Sequence, residues 1–173
     1  MSEGRDRGPR AGQRLRGKVR GSDEENVRRV LESAGNFYHC EIDIAIELLD
    51  DYRQSGNKSP YQFIFADRGS EFAGFICYGE IPLTEGSYDI YWIAVRKDIQ
   101  NRGTGKALLA AAEKKILAAK GSRVYVDTSS RPDYHDTHMF YERCGYGSVA
   151  RIPDFYRDED DKVVYAKRLK AKG

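Results

Sequence analysis

Apolar residues recur every three or four positions in two segments of the N-terminal half, which predicts two amphipathic helices. The first helix begins at Ser22, because Ser22 and Glu25 have the spacing of a capping box and an apolar stripe follows them. The second helix runs from about residue 41 to residue 52. It carries one apolar stripe at helical spacing, formed by Ile42, Ala45, Ile46 and Leu49.

The pattern changes period after residue 60, where aromatic and β-branched residues become frequent. Further along, an Ala-, Leu- and Lys-rich segment from residue 103 to 120 predicts a helix of about four turns. Strands are predicted at 14–20, 88–95, 124–128 and 163–168, and a β-hairpin is predicted at 61–66 and 71–78. A further short helix is predicted at 137–144. This order predicts an α/β fold in which helices cover a mixed sheet.

Length and composition favour a soluble protein with one folded domain. The chain has 173 residues, of which 40% are hydrophobic and 32% charged. We expect a flexible basic leader over residues 1–13 and a single domain over 14–173. No apolar stretch approaches a membrane span, no secretory signal is evident, and three cysteines without CxxC spacing suggest reduced thiols. A cytoplasmic location is therefore the expectation.

The basic charge is concentrated at the N-terminus. Residues 1–20 hold seven basic residues against two acidic ones, so with an overall charge of +2 the remaining 153 residues carry −3. Such an arm can contact nucleic acid, but no aromatic residues are interleaved to stack on bases, so a solvated leader is favoured and nucleic acid is not the expected partner. The acidic body suits a cationic substrate.

The segment from Val95 to Ala107 has the chemistry of an anion site. A buried strand ends, a polar turn follows, and glycines open a helix whose first amides are free to bind an anion. A Walker A loop would need glycine at position 100 and a hydroxyl residue at 107, and the chain has Gln100 and Ala107. A dinucleotide fingerprint would need a third glycine where Leu108 stands. Both alternatives fail.

What remains is Gln100-x-x-Gly103-x-Gly105, which resembles the Q/R-x-x-G-x-G/A signature of the GNAT-type N-acetyltransferases. The segment Ile93-Ala94-Val95 before it is typical of that family's strand end. Residues 140–146, Phe-Tyr-Glu-Arg-Cys-Gly-Tyr, resemble the family's second signature. The resemblance covers about residues 14–169. It implies the GNAT acyl-CoA N-acyltransferase fold, a mixed and mostly antiparallel sheet flanked by helices, with acetyl-CoA as cosubstrate.

The resemblance also implies where acetyl-CoA would bind. The backbone of the strand end would pair with the pantetheine arm, and the amides of the following loop would hold the pyrophosphate. The implied cofactor-binding residues are Ile93, Ala94, Val95, Gln100, Asn101, Arg102, Gly103, Thr104, Gly105 and Lys106. The histidines share no ligand spacing with acidic or cysteine residues, so no metal site is expected.

Two residues are the candidates for proton transfer. Tyr141 matches the family tyrosine that acts as general acid near the CoA sulfur; the alternative is an ordinary core tyrosine. Asp89 falls where histone-type acetyltransferases of this fold carry a glutamate that acts through water; the alternatives are a pure water chain or a carboxylate that binds substrate. Strand alternation predicts that Asp89, Tyr91, Ile93 and Val95 share one face of the sheet.

One position departs from the family pattern. Many members have asparagine seven residues before the tyrosine, where this chain has Tyr134. We expect that Thr128, Ser129 or Arg131 supplies the missing polar contacts. For the acceptor pocket, the candidates are Glu41, Asp43, Asp89 and Tyr91.

The predicted function is transfer of an acetyl group from acetyl-CoA to a primary amine by direct attack, with the acceptor, a small molecule or a peptide, unidentified. The alternative is a non-catalytic acyl-CoA-binding or sensory module on the same fold. No membrane partner is expected, and the sequence leaves a homodimer open.

Overall fold

The computed structural model of the protein describes residues 12–170, so the predicted leader lies almost entirely outside the described residues. Seven strands and four helices lie within that range. The strands are β1 (Gln13–Arg16), β2 (Gln62–Arg68), β3 (Glu71–Glu80), β4 (Ser87–Val95), β5 (Arg123–Ser129), β6 (Gly147–Arg157) and β7 (Asp160–Arg168). The helices are α1 (Asp23–Ala34), α2 (His39–Ser55), α3 (Thr104–Ala118) and α4 (His135–Arg143).

The strands form one sheet in the order β1-β2-β3-β4-β5-β7-β6. Only the β4–β5 pair is parallel, and every other neighbouring pair is antiparallel. The predicted mixed sheet covered by helices is confirmed. A whole strand, β6, was missing from the sequence prediction. All eleven of its residues are exposed, so its apolar side chains follow no alternation that the sequence could reveal.

Helix α1 begins directly after Ser22 as predicted, but without the predicted capping bond, and α2 begins at His39, two residues before the predicted start. Ser22 stands at the N-cap of α1, and its side chain makes no capping hydrogen bond. Asp23 instead accepts hydrogen bonds from the Arg20 amide at 2.7 Å and from the Arg16 guanidinium. A reciprocal bond does occur at α2, where the Tyr38 amide donates to Glu41 Oε2 at 2.7 Å.

Each face of the sheet has its own hydrophobic core. Helices α1 and α2 cover one face, where Leu31 and Leu49 pack with aromatic residues of β2 and β3. Helix α3 covers the other face, where Leu108 and Ile116 pack together with Tyr141 of α4. The sheet is therefore buried on both sides along its centre, which fixes the positions of β4 and β5.

A β-bulge in β4 changes which face its side chains point to. Trp92 pairs with Cys77 and Ile90 pairs with Tyr78, so Tyr91 is left without a partner across the ladder. Tyr91 packs on the α1–α2 face, whereas Ile93 packs on the α3 face.

The predicted common face of Asp89, Tyr91, Ile93 and Val95 was therefore wrong, because an extra residue in one strand reverses the alternation after it. Asp89 and Tyr91 do share the α1–α2 face, since the flanking residues Tyr88 and Ile90 are in the α3 core. Val95 lies with Ile93 on the opposite face.

Strands β4 and β5 diverge after a short parallel pairing. Residues Ser87 to Asp89 pair with Arg123 to Tyr125, and the pairing ends there, while β5 stays paired with β7 through Ser129. At the end of β4, the Arg96 amide donates to Ala73 O at 2.9 Å. Because bonded and non-bonded pairs alternate along an antiparallel ladder, the backbone groups of Ile93 and Val95 point away from β3 and into the gap.

Within residues 12–170, no helix has both the length and the apolar character needed to cross a membrane.

Candidate active site

A cavity of about 740 Å³ opens where β4 and β5 diverge. Residues of β4, β5 and the 3₁₀ turn before α4 form its walls, together with the α1–α2 loop and Tyr156 of β6. Of the sequence-predicted site residues, the lining includes Asp89, Ile93, Ala94, Val95, Gln100 and Tyr141. The fold thus brings the two candidate proton-transfer residues and the predicted strand end into one cavity.

The loop before α3 lies at the edge of this cavity, next to Gln100. Gly103 is the N-cap of α3 with φ of 89°, a left-handed conformation that glycine adopts without strain. Asn101 also has a positive φ of 60°. Within residues 12–170, the six amides from Asn101 to Lys106 donate no hydrogen bond. Unbonded amides at the positive end of a helix dipole are the features that suit a bound anion.

Two other loop residues have structural roles that the sequence did not reveal. A Cβ atom on Gly105 would lie 3.3 Å from the ring of Phe140, so this glycine allows α3 and α4 to approach closely. The Gln100 side-chain amide donates to Val95 O at 3.2 Å and thereby holds the loop against the strand end. Arg102 and Lys106 are exposed at the helix N-terminus, where their charge suits an anion.

Tyr141 is a buried wall residue of the cavity. The residue is 2% exposed, and its ring packs edge-to-face on Tyr146 and stacks on Tyr165. Its hydroxyl makes no hydrogen bond with any residue from 12 to 170. Burial raises the pKa of Tyr141 above its ordinary value, with smaller contributions from Cys144 and Tyr134. The phenol is therefore neutral at physiological pH, as a proton donor must be.

Asp89 lies half-buried in the cavity wall. Its pKa is raised to about 6, first by burial and then by the nearby Asp127 carboxylate, while Lys162 acts in the opposite direction. Asp127 itself forms an ion pair with Lys162. A carboxylate with a pKa near 6 can accept a proton at physiological pH and is a stronger base than an ordinary aspartate.

The three polar residues expected to replace the family asparagine are engaged in contacts within the protein. Thr128 Oγ1 donates to Val163 O at 2.9 Å and lies 3.0 Å from His138 Nε2. Ser129 Oγ donates to Asp160 and accepts from the Arg131 amide. All three side chains line the cavity, but their polar groups stabilise its wall.

Arg131 connects two walls of the cavity. Its guanidinium donates to Asn36 O at 2.9 Å and to the Tyr38 hydroxyl at 2.5 Å, and it lies over the Tyr38 ring. Arg157 of β6 lies over the same ring, 4.3 Å from its centre. These contacts could not be predicted from the sequence, because Arg131 is separated from Asn36 and Tyr38 by more than ninety residues along the chain.

Of the four residues predicted for an acceptor pocket, three line this cavity. Glu41, Asp89 and Tyr91 line the cavity. Asp43 does not, because it points to the outer side of α2 and pairs with Arg28 at 3.0 Å. Sequence reasoning also missed Asp127 and Tyr156, which neither motif includes. Among the described residues, no group of three or more side chains has the arrangement of a metal site.

These features fit acetyl-CoA as a substrate. The open gap between β4 and β5 offers unpaired backbone groups for an amide-containing arm, and the loop at residues 101–106 offers amides for a pyrophosphate. Asp89 and Tyr141 line the cavity that joins these two parts.

Comparisons with known proteins agree with this arrangement. The model of the acetyltransferase (GNAT) family matches residues 28–146. The crystal structure of a GNAT-family protein from Desulfovibrio desulfuricans is 40% identical, with a TM-score of 0.88, over 91% of this chain and 99% of that chain. A comparison with curated proteins gave no significant match.

More distant structures share the fold. An aminoglycoside 6′-N-acetyltransferase in complex with coenzyme A is 15% identical, with a TM-score of 0.71, over 92% of this chain and 98% of that chain. The ribosomal-protein-S18-alanine N-acetyltransferase from Escherichia coli is 16% identical, with a TM-score of 0.71, over 93% and 96%. The family match and the 40% identical structure together decide the assignment. The chain therefore belongs to the GNAT family of acetyltransferases and is an acetyl-CoA-dependent N-acetyltransferase.

Proposed function

We propose that the protein transfers the acetyl group of acetyl-CoA to a primary amine by direct attack, with Asp89 as base and Tyr141 as acid. The observation that carries this proposal is the presence of both residues in the wall of one cavity, at the divergence of β4 and β5. The raised pKa of Asp89 makes it a stronger base than an ordinary aspartate, and Tyr141 is protonated at physiological pH.

The positions of Asp89 and Tyr141 in the cavity wall suggest the order of the proton transfers. Asp89 accepts a proton from the ammonium form of the acceptor, directly or through water, and the neutral amine then attacks the thioester carbonyl. The nitrogen loses a second proton to solvent as the amide forms. The new C–N bond forms as the C–S bond breaks. Tyr141 donates its phenolic proton to the departing thiolate, and solvent later returns a proton to the phenol.

The binding roles are part of the same proposal. The backbone of Ile93 and Val95, beside Ala94, pairs with the pantetheine arm in the gap next to β5. The amides of residues 101–106 hold the pyrophosphate, with Arg102 and Lys106 supplying positive charge and Gln100 holding the loop in place. The free amides and the direction of the β4 backbone support these roles.

The direct test is to incubate the full chain with acetyl-CoA and a panel of amines and to measure free thiol. We expect thiol release that depends on both substrates. Binding of acetyl-CoA without thiol release from any acceptor would favour a non-catalytic acyl-CoA-binding module instead.

We expect Tyr141→Phe to lower kcat about a hundredfold, because removal of a general acid typically costs that much. The KM for acetyl-CoA should change little, since the ring that packs in the wall is kept. Steady-state kinetics in both substrates measures the two effects.

Tyr165→Phe is the matched control, because Tyr165 stacks on Tyr141 and its hydroxyl bonds to Glu142 outside the cavity lining. It should retain nearly full kcat. Equal losses in the two variants would show that Tyr141 is only a core residue.

A further inference from the structure

The loop at residues 100–104 is fixed at both of its ends by side-chain contacts. At its start, the Gln100 side-chain amide donates to Val95 O at 3.2 Å. At its end, the Thr104 hydroxyl donates to Oε1 of Gln13 at 3.4 Å. Among the residues that the structure describes, no other side-chain hydrogen bond holds this loop. Gln13 is therefore the second anchor of the loop whose backbone amides are proposed to hold the pyrophosphate.

Gln13 reaches the loop from the edge of the sheet. It is the first residue of β1, where it pairs with Arg68 of β2. Because side chains alternate along a strand, Gln13 points to the same face as Leu15, which packs in the α3 core. Thr104 is the first residue of α3 and is 3% exposed, so the contact between the two side chains is buried. The two residues are 91 positions apart in the chain, so no local pattern relates them.

The side-chain amide of Gln13 also contains a donor without an acceptor. Its Nε2 atom is buried and makes no hydrogen bond with any residue from 12 to 170. Leaving a buried donor unpaired is unfavourable, and such groups in folded proteins almost always have a partner. Thr104, which Gln13 contacts, belongs to the run of six backbone amides that are also unpaired within the same range. A group of neighbouring unpaired donors lacks an acceptor, which the oxygen atoms of an anion supply.

Strand β1 does not depend on the Gln13 side chain for its place in the sheet. All four of its residues pair with β2, and the Gly69 amide donates to Gly12 O at 3.0 Å. The ion pairs of Arg16 join the other end of the strand to α1 and β2. Removal of the Gln13 amide group should therefore leave the fold intact, which allows its effect on the loop to be measured.

We propose that Gln13 is a positioning residue for acetyl-CoA: its Oε1 atom orients Thr104, and its Nε2 atom gains an acceptor when the phosphates of acetyl-CoA bind. This inference rests on the proposed function, in which residues 101–106 hold the pyrophosphate. Thr104 carries one of those amides, so its contact with Gln13 keeps that amide directed at the anion. Without the contact the phosphates bind less tightly, while the reaction at the thioester, beside Asp89 and Tyr141, is unchanged.

The test compares acetyl-CoA with S-acetylpantetheine, which has the same thioester and pantetheine arm but no pyrophosphate or nucleotide. We expect Gln13→Leu to raise the KM for acetyl-CoA about tenfold, the effect of one charge-assisted hydrogen bond, and to leave kcat unchanged. The kcat/KM for S-acetylpantetheine should equal the wild-type value. An equal loss with both thioesters, or no loss with acetyl-CoA, would overturn the proposal.

Two further variants separate the roles of the two amide atoms. Thr104→Val removes the hydroxyl that Oε1 accepts, so its effect on CoA affinity should be less than additive with that of Gln13→Leu. Gln13→Glu keeps an acceptor for Thr104 but removes the Nε2 donor and adds negative charge, so it should weaken CoA binding more than Gln13→Leu does. Fully additive losses, or wild-type affinity in Gln13→Glu, would contradict the proposal. Gln54→Leu makes the same change at an exposed position of α2 and should alter none of these values.

A binding measurement separates failure of this inference from failure of the proposed function. Isothermal titration of CoA into the full chain requires no acceptor and no chemical step. Gln13→Leu should weaken CoA binding about tenfold and leave pantetheine binding unchanged. This result in a protein that transfers no acetyl group would support the role of Gln13 and contradict the proposed function. Acetyl transfer together with unaltered CoA affinity in Gln13→Leu would do the opposite.

Discussion

Asp89→Asn should lower kcat by two to three orders of magnitude, because the variant keeps the shape of the site and removes the proton acceptor. In the wild-type protein, burial and the Asp127 carboxylate raise the pKa of Asp89 to about 6. The carboxylate is ionised and competent above that pH and protonated below it. The kcat at saturating amine should therefore rise with pH through a limb near 6, and Asp89→Asn should lack this limb.

The neighbouring carboxylate provides the control for this assignment. Asp127→Asn removes a negative charge that raises the pKa of Asp89 and leaves Lys162, which lowers it. The limb should move to lower pH while the kcat on the plateau stays near the wild-type value. A limb that stays in place in Asp127→Asn, or that persists in Asp89→Asn, would show that water or another group is the base.

Arg16→Ala should lower the free energy of unfolding by about 3–5 kcal/mol, the usual cost of removing one partner of a buried ion pair. The Asp23 carboxylate would lose its ion-pair partner, whereas Asp67 would keep its pair with Arg20 at 2.8 Å. Arg16 is 8% exposed at its side chain and binds two buried carboxylates, Asp23 at 2.6 Å and Asp67 at 2.9 Å. These contacts join β1, α1 and β2, and the guanidinium also lies over the Phe65 ring. Denaturant unfolding followed by circular dichroism measures the change.

The contacts of Arg16 also predict one variant that restores part of the lost stability and one control variant that changes stability little. A triple variant with Arg16→Met, Asp23→Asn and Asp67→Asn should recover part of the loss, because no unpaired charge remains buried. Arg29→Ala breaks the exposed Arg29–Glu25 pair and should cost at most about 1 kcal/mol. A loss in Arg16→Ala no larger than that in Arg29→Ala would contradict the structural role of this cluster.

The properties of Asp89 and Arg16 could be predicted from the sequence to different extents. Asp89 lies in a segment whose family resemblance pointed to its role, but its pKa depends on Asp127, thirty-eight residues further along the chain. Arg16 lies in a basic segment that the sequence presents as solvated charge. Only the pairing of β1 with β2 brings Asp67 next to Arg16 and removes water from both.

Short-range sequence patterns predicted most of the helices and strands. Helical spacing of apolar residues located α1 and α2, and composition located α3. Runs of aromatic and β-branched residues located β2 to β5, because such runs arise where an element buries one face or both faces. Strand β6 has no buried face and Pro153 interrupts it, so its sequence resembles a loop. Its Tyr156 nevertheless completes the cavity wall.

By itself, the sequence predicted the glycine-containing turn at residues 100–106 that opens α3 and the helix that carries Tyr141, because glycine spacing and short motifs act over one turn of chain. Tertiary structure alone decided the β4 bulge, the divergence of β4 from β5, and the meeting of Glu41, Asp89 and Tyr156 around one cavity. These features depend on strand register and on contacts between distant segments, which leave no periodic trace in the order of the residues.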